Sequence, residues 1–217
     1  MDAVLSRLGN SPGTDQQVME ATGKIVQETY TPEEKARLEQ ALTARGATML
    51  PLAQASGLVD LEARWRLEAM TGQSQQIGQS QQIDQRFVTL QSQRGVFDLL
   101  GRELEDYAAG NPGRPVEASA WTEAAHAFIA AGDVDAQLRV MREAMASGAL
   151  GGDLLDRYLA LLASRRPGQL LEIVRNNASP QIRCRAVQVA IDRDQTKLAY
   201  SAVQTRGASL SPVWAKA

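Results

Sequence analysis

Apolar residues recur along most of this chain at spacings of three and four, the period that aligns one face of an α-helix. The clearest case runs from Ala118 to Met145. In its first half Trp121, Ala124, Ala125 and Phe128 stand at i, i+3, i+4 and i+7. In its second half Leu138, Met141 and Met145, with Ala144 beside them, form another stripe. Gly132-Asp133 lies between the two: the glycine accommodates a left-handed helix end, and the aspartate caps the second helix. Ser119 is the expected N-cap of the first helix. So short a turn makes the helices antiparallel neighbours with facing stripes. One such pair cannot bury both its faces and needs neighbours of the same kind.

The pattern recurs on either side. A short helix is expected over residues 2–8, then one over 14–29 with Val18, Ala21, Ile25 and Val26 on one side. Thr31-Pro32-Glu33-Glu34 marks a helix start, with a capping hydroxyl, proline in the first turn and a glutamate three residues after the cap. Leu38, Ala41 and Leu42 continue that helix to Arg45-Gly46. Helices over 47–56 and 58–70 meet at Gly57, with Pro51 placed in the first turn of the former. Phe87 and Leu90 precede Gly95, and Phe97, Leu100, Leu104 and Tyr107 come after it. Asn111 to Pro115 is a break. Beyond the Ala118–Met145 hairpin, residues 153–164 turn at Arg165 to Gly168 into Leu170, Leu171, Ile173 and Val174. Ile182, Ala186, Val187 and Ile191 come next, then Leu198, Ala199 and Val203. Gly57, Gly95, Gly132 and Gly168 are 38, 37 and 36 residues apart, each between two apolar stripes. No segment alternates as a strand would, so the expectation is an all-α chain of helix hairpins.

The Ala118–Met145 stretch resembles a tetratricopeptide repeat, a helix-turn-helix unit of about 34 residues. Trp121 falls on the family's early tryptophan, and Ala124, Ala125 and Phe128 on its small, small, aromatic sequence. Gly132-Asp133 falls on the inter-helix turn, and Met141 and Ala144 on the large and small positions of the second helix. Gln137 stands where the family prefers alanine, and no proline closes the repeat near Ala149. The resemblance implies a right-handed superhelix of about five to six antiparallel hairpins. Residues 1–73 would be N-terminal hairpins, 74–84 a connector, and 85–217 the repeats that resemble the family. It also implies a concave face, lined by the first helix of each pair, that holds a peptide or a partner helix. The groove positions it implies are Thr122, Glu123 and His126 in the best unit. In the unit turning at Gly95 they are Gln85, Arg86, Thr89 and Ser92. In the unit closed by Pro212 they are Arg185, Asp192 and Arg193. The lysine–asparagine set by which chaperone-binding members clamp a terminal carboxylate is missing.

Composition narrows the partners. A net charge of -2 and a pI near 5.6 give no reason to expect nucleic acid, and Arg165-Arg166 and Arg183-Arg185 lack interleaved aromatics. No apolar run reaches the roughly 18 residues a membrane helix needs, so no membrane insertion is expected. The duplicated Gly72–Ile77 and Gly78–Ile83 sequence, GQSQQI, reads as a solvated connector between hairpins. The N-terminus lacks a secretion signal, which favours the cytoplasm if Met1 is the native start. Ser211 to Trp214 reads as the start of a further repeat in a longer protein.

Candidate chemistry is sparse. His126 is the only histidine and Cys184 the only cysteine, so neither a multi-histidine metal site nor an intrachain disulfide is available. Cys184 falls in the apolar row of its helix and is expected to be buried. Glu33-Glu34, Glu103-Glu105-Asp106 and Asp133-Asp135 suit helix first turns and exposed faces. There is no strand-borne nucleophile motif and no phosphate loop. The expectation is a non-catalytic interaction scaffold without a cofactor. Two other readings stand beside it: a helical accessory or substrate-positioning region of a larger enzyme, and a compact helical bundle around an internal ligand pocket.

Overall fold

The computed structural model describes residues 16–73 and 83–193, and all regular structure among them is helical. We number the helices α1 (Gln16–Thr29), α2 (Pro32–Thr43), α3 (Leu50–Ala55), α4 (Val59–Gln73), α5 (Gln85–Gln93), α6 (Phe97–Ala109), α7 (Pro115–Ala131), α8 (Val134–Ala146), α9 (Gly152–Arg165), α10 (Pro167–Asn176) and α11 (Pro180–Asp192). A 3-10 turn, Ala47–Met49, leads into α3. The chain divides into two compact units, Met1–Leu100 and Gly101–Ala217. The expected helix over 2–8, most of the 74–84 connector and the apolar positions from Leu198 onward lie outside the described residues.

In the first unit, α1 packs on α3, α3 on α4 and α4 on α5. Met19, Val26, Leu38, Leu42, Met49, Leu52, Ala53, Leu58, Leu61 and Trp65 form one buried core, with Tyr30 and Leu50 against it. The start of α2 is built as its sequence predicts. The Glu34 amide donates to the Thr31 hydroxyl at 3.3 Å, and the Thr31 amide donates back to the Glu34 carboxylate at 2.9 Å. That reciprocal pair satisfies two helix-end donors. The Thr31 amide holds the Glu34 carboxyl below its ordinary range.

α1 turns inward a face that includes only Val26 of the four expected residues. Val18 and Ile25 are exposed, and Met19, Gly23 and Val26 are buried. The cause is steric. At Gly23 the helix crosses α3 so closely that a Cβ would meet the Ala55 side chain and the Ser56 backbone nitrogen. The absent side chain, rather than the apolar ones, selects the contact face.

In the second unit, α7 packs on α8, α8 on α9, α9 on α10, and α11 on both α9 and α10. Val116, Ala120, Trp121, Ala124, Ala125, Ala127 and Phe128 of α7 are buried, as are Leu138, Val140, Met141 and Ala144 of α8. The break before α7 is closed by Asn111, itself buried. Its amide donates to the Tyr107 carbonyl at 2.7 Å and its oxygen accepts from Arg114 at 3.0 Å. α7 begins at Pro115, so Ser119 sits inside the helix and is not its cap.

One turn recurs. After Gly57, Gly95, Gly132 and Gly148 the next amide donates to the carbonyl four residues before the glycine: Leu58 to Ala53, Val96 to Gln91, Asp133 to Phe128 and Ala149 to Ala144. This is the helix end that a left-handed residue allows; Gly132 has φ 75° and ψ 8°. At the first three of these glycines the next helix starts two residues later: the turns join α3 to α4 and α7 to α8, pairs that pack on each other, and connect α5 to α6. Gly168 does not belong to the series. It lies inside α10, whose entry is made by non-helical Arg166 (φ -141°, ψ 59°) and by Pro167 in the first turn. Proline at a helix start supplies the break that glycine was expected to make.

Candidate partner-binding faces

On α5, the Asp84 side chain accepts from the Arg86 and Phe87 amides at 2.9 and 3.2 Å and sets the helix start. Phe87, Leu90 and Gln91 then point inward, leaving Gln85, Arg86 and Thr89 exposed and Ser92 half-buried. The Thr89 hydroxyl donates to the Gln85 carbonyl of its own helix at 2.7 Å. On α7, Thr122 and Glu123 are half-buried and His126 is exposed, opposite the buried Ala124, Ala125 and Phe128. Thr122 donates to the Ala118 carbonyl at 2.9 Å, and His126 Nδ1 lies 4.0 Å from the Glu123 carboxylate. Trp121 is a core residue, and its indole N–H donates to Glu117 at 3.2 Å.

The positions on α11 behave otherwise. Arg185 forms a bidentate pair with Asp156 of α9 at 2.5 and 2.6 Å, an arrangement that ties the two helices together. The Arg185 guanidinium holds the Asp156 carboxyl below its ordinary range. Asp192 accepts from Gln188 of its own helix at 2.8 Å, and Arg193 is exposed just beyond the helix end. Gln85, Arg86, Thr89 and Ser92 share one helix of the first unit. Thr122, Glu123 and His126 share α7, and the α11 residues are separated from them in sequence by α8, α9 and α10.

Arg86 does more than face solvent. Its Nε donates to Glu62 of α4 at 3.2 Å, and Glu62 is 1 % exposed. Arg66 donates to the same carboxylate oxygen at 2.9 Å, to Asp84 at 2.8 Å and to Gln54 at 3.4 Å. Burial works against the Arg66 charge, but the Asp84 and Glu62 carboxylates outweigh it and raise its pKa. A buried carboxylate is tolerable only when paired in this way. The sequence signal was present: Glu62 stands four residues after Leu58 and so lies on the apolar stripe.

A second buried polar residue, Gln137, is the one that departs from the family pattern. Its amide nitrogen donates to the Phe128 carbonyl at 3.0 Å, and its oxygen accepts from Arg157 Nε and Nη2 at 3.1 Å each. Cys184 is exposed rather than buried. The inward residues of α11 are Ala186 and Ala190, and a residue two places from Ala186 points to the far side of the helix.

Ion pairs link helices one or two places apart along the chain, between residues separated by 31 or 34 positions. Arg139 of α8 grips Glu105 of α6 through two bonds of 2.7 and 2.8 Å, 34 residues apart, with its guanidinium 5.9 Å from the Phe128 ring centre. Arg94 pairs with Asp60, also 34 residues away. Arg166 pairs with Asp135 at 3.0 Å, 31 residues away. Among the described residues no group of three or more His, Cys, Asp or Glu side chains could hold a metal ion. Among them, too, no helix is long and apolar enough to cross a membrane. Compared with known proteins, the chain matches no family model, no curated protein and no solved structure.

Proposed function

We propose that this chain is a non-catalytic protein-interaction scaffold of stacked helix hairpins, resembling tetratricopeptide repeats. It binds a peptide or partner helix on an outward helix face, that of α5 in the first unit or that of α7 in the second, each taken by itself. One observation carries the reading: within each unit the closely packed helix pairs are sequence neighbours or next-but-one neighbours. The packed helices thereby stand one or two places apart along the chain. That is the contact pattern of a quasi-one-dimensional repeat protein. The 34-residue separations of Arg94–Asp60 and Arg139–Glu105 agree with it, as does the shared turn after Gly57, Gly95 and Gly132.

The outward residues on α5 and α7 are short or adaptable polar groups with little internal work. The Thr89 and Thr122 hydroxyls bond within their own helices, and His126 lies nearest Glu123 of its own helix, so their polar groups do not serve to tie helices together and suit a ligand-facing role. Arg86 differs, since it completes the pairing of Glu62. A photocrosslinking residue at position 89 or 126 should trap one discrete protein partner in cell extract, and one at exposed Ser164 should not. Glu123→Lys with His126→Glu should abolish the adduct while leaving the helical circular dichroism unchanged. Adducts that persist in that double variant, or that form equally at 164, would remove α7 as the binding face.

A further inference from the structure

Glu62 and Gln137 occupy the same place in two hairpins. Each is the fifth residue after its turn glycine, Gly57 or Gly132, on the second helix of the pair. Each is 1 % exposed. Each is reached by an arginine from the next helix along the chain: Arg86 of α5 for Glu62, and Arg157 of α9 for Gln137. The intervening hairpin carries Leu100 at the corresponding position, where no such partner is needed.

Both units bury small side chains among their helices, including Ala53 and Ala63 in the first and Ala124, Ala125, Ala136 and Ala144 in the second. Apolar packing of about the right volume secures compactness before it secures one unique arrangement. A buried carboxylate or amide narrows the choice. In a shifted register its acceptor oxygen would stay desolvated without a donor, which is heavily penalised. Buried polar groups that act this way trade stability for a single arrangement.

We infer that Glu62 and Gln137 are positioning residues that fix the axial and rotational register of α5 on α4 and of α9 on α8. This rests on the stacked-hairpin reading above and adds how the outward faces are held in alignment. For Glu62 the lock has two further parts, because Arg66 ties the same carboxylate to Asp84, the N-cap of α5. The start of α5 and its rotation are thus set together. In the second unit the Gln137 amide also occupies the Phe128 carbonyl at the end of α7. One side chain thereby links α7, α8 and α9.

The test measures register without any partner, so a failed capture experiment leaves its outcome untouched. In a Cys184→Ser background, spin labels go on exposed Glu68 of α4 and Gln93 of α5, or on exposed Ala146 of α8 and Ser164 of α9. Pulsed electron resonance should give one narrow distance for the parent protein. Glu62→Met and Gln137→Met should each broaden or split the distance in their own unit. Cooperative unfolding should remain, with the larger fall in midpoint in Glu62→Met, which leaves Arg66 and Arg86 without that carboxylate. Glu62→Gln, which keeps the shape and an acceptor, should restore a single distance. Narrow distances in both methionine variants would overturn the proposal, as would a broad one in Glu62→Gln. If Glu62→Met does not fold, Gln137→Met decides the matter alone, because it removes no charge.

Discussion

Two glycines show how much rests on the absence of a side chain. At Gly101 a Cβ would stand 2.8 to 2.9 Å from three atoms of the Phe128 ring, which itself is 1 % exposed. Gly101→Ala therefore forces the ring or the helix to move, at an expected cost of about 1–3 kcal/mol in denaturant unfolding. Phe128→Leu in the same chain should recover part of that loss, because the aliphatic side chain vacates the clash. At Gly23 the obstacle is the Ala55 side chain together with the backbone at Ala55 and Ser56, so Gly23→Ala should be at least as damaging, and Ala55→Gly should relieve it only in part. Neither effect is legible in the sequence. A glycine inside a helical pattern looks like a weak spot until the partner helix is in place. The same blindness put Val18 and Ile25 on the wrong side of α1 and Cys184 on the wrong side of α11. Periodicity defines a stripe, but with several small residues present it does not say which stripe meets a neighbour.

At the scale of the element, starts and stops were the readable part of the chain. The Thr31–Glu34 capping box, the Asp133 cap, Pro51 in a first turn and the glycines at 57, 95 and 132 all stand where local chemistry requires them. Gly132 and Gly168 provide a contrast. Gly132→Ala places a Cβ at φ 75° and should destabilise by about 1 kcal/mol. Gly168→Ala falls in a helix with nothing within 4 Å of the new Cβ, and should stabilise by roughly 0.5 kcal/mol through the unfolded chain. Chemical denaturation of both variants reads the difference in sign. Caps also give a pH dependence. Glu34 and Asp156 both have folded-state pKa values below ordinary, through the Thr31 amide and the Arg185 guanidinium respectively. Their contribution is therefore fully present above the ordinary carboxylate range and is lost as pH falls through the lowered values. The thermal midpoint should decline below about pH 4, and Asp156→Asn should be less sensitive over that window. An unaltered pH profile in the variant would show that the Asp156–Arg185 pair contributes nothing to folding.

For the molecule as a whole, the contact pattern carries the physical consequence that matters most. The groove residues proposed on α5 and α7 were placed by resemblance, and the ion pairs between helices were not anticipated, because pairing partners 34 residues apart become visible only once the helices are packed. A protein joined mainly between neighbouring helices transmits damage over short distances. Leu159 of α9 is fully buried, and α9 packs against α8, α10 and α11. Leu159→Ala should cost about 2–5 kcal/mol locally. Hydrogen exchange followed by mass spectrometry should then show lost protection in residues 134–192. Residues 16–73 should keep the protection they have in the parent protein. A uniform loss along the chain would mean that the hairpins fold as one cooperative body. That outcome would count against a quasi-one-dimensional stack, and with it against a scaffold whose binding faces are assembled hairpin by hairpin.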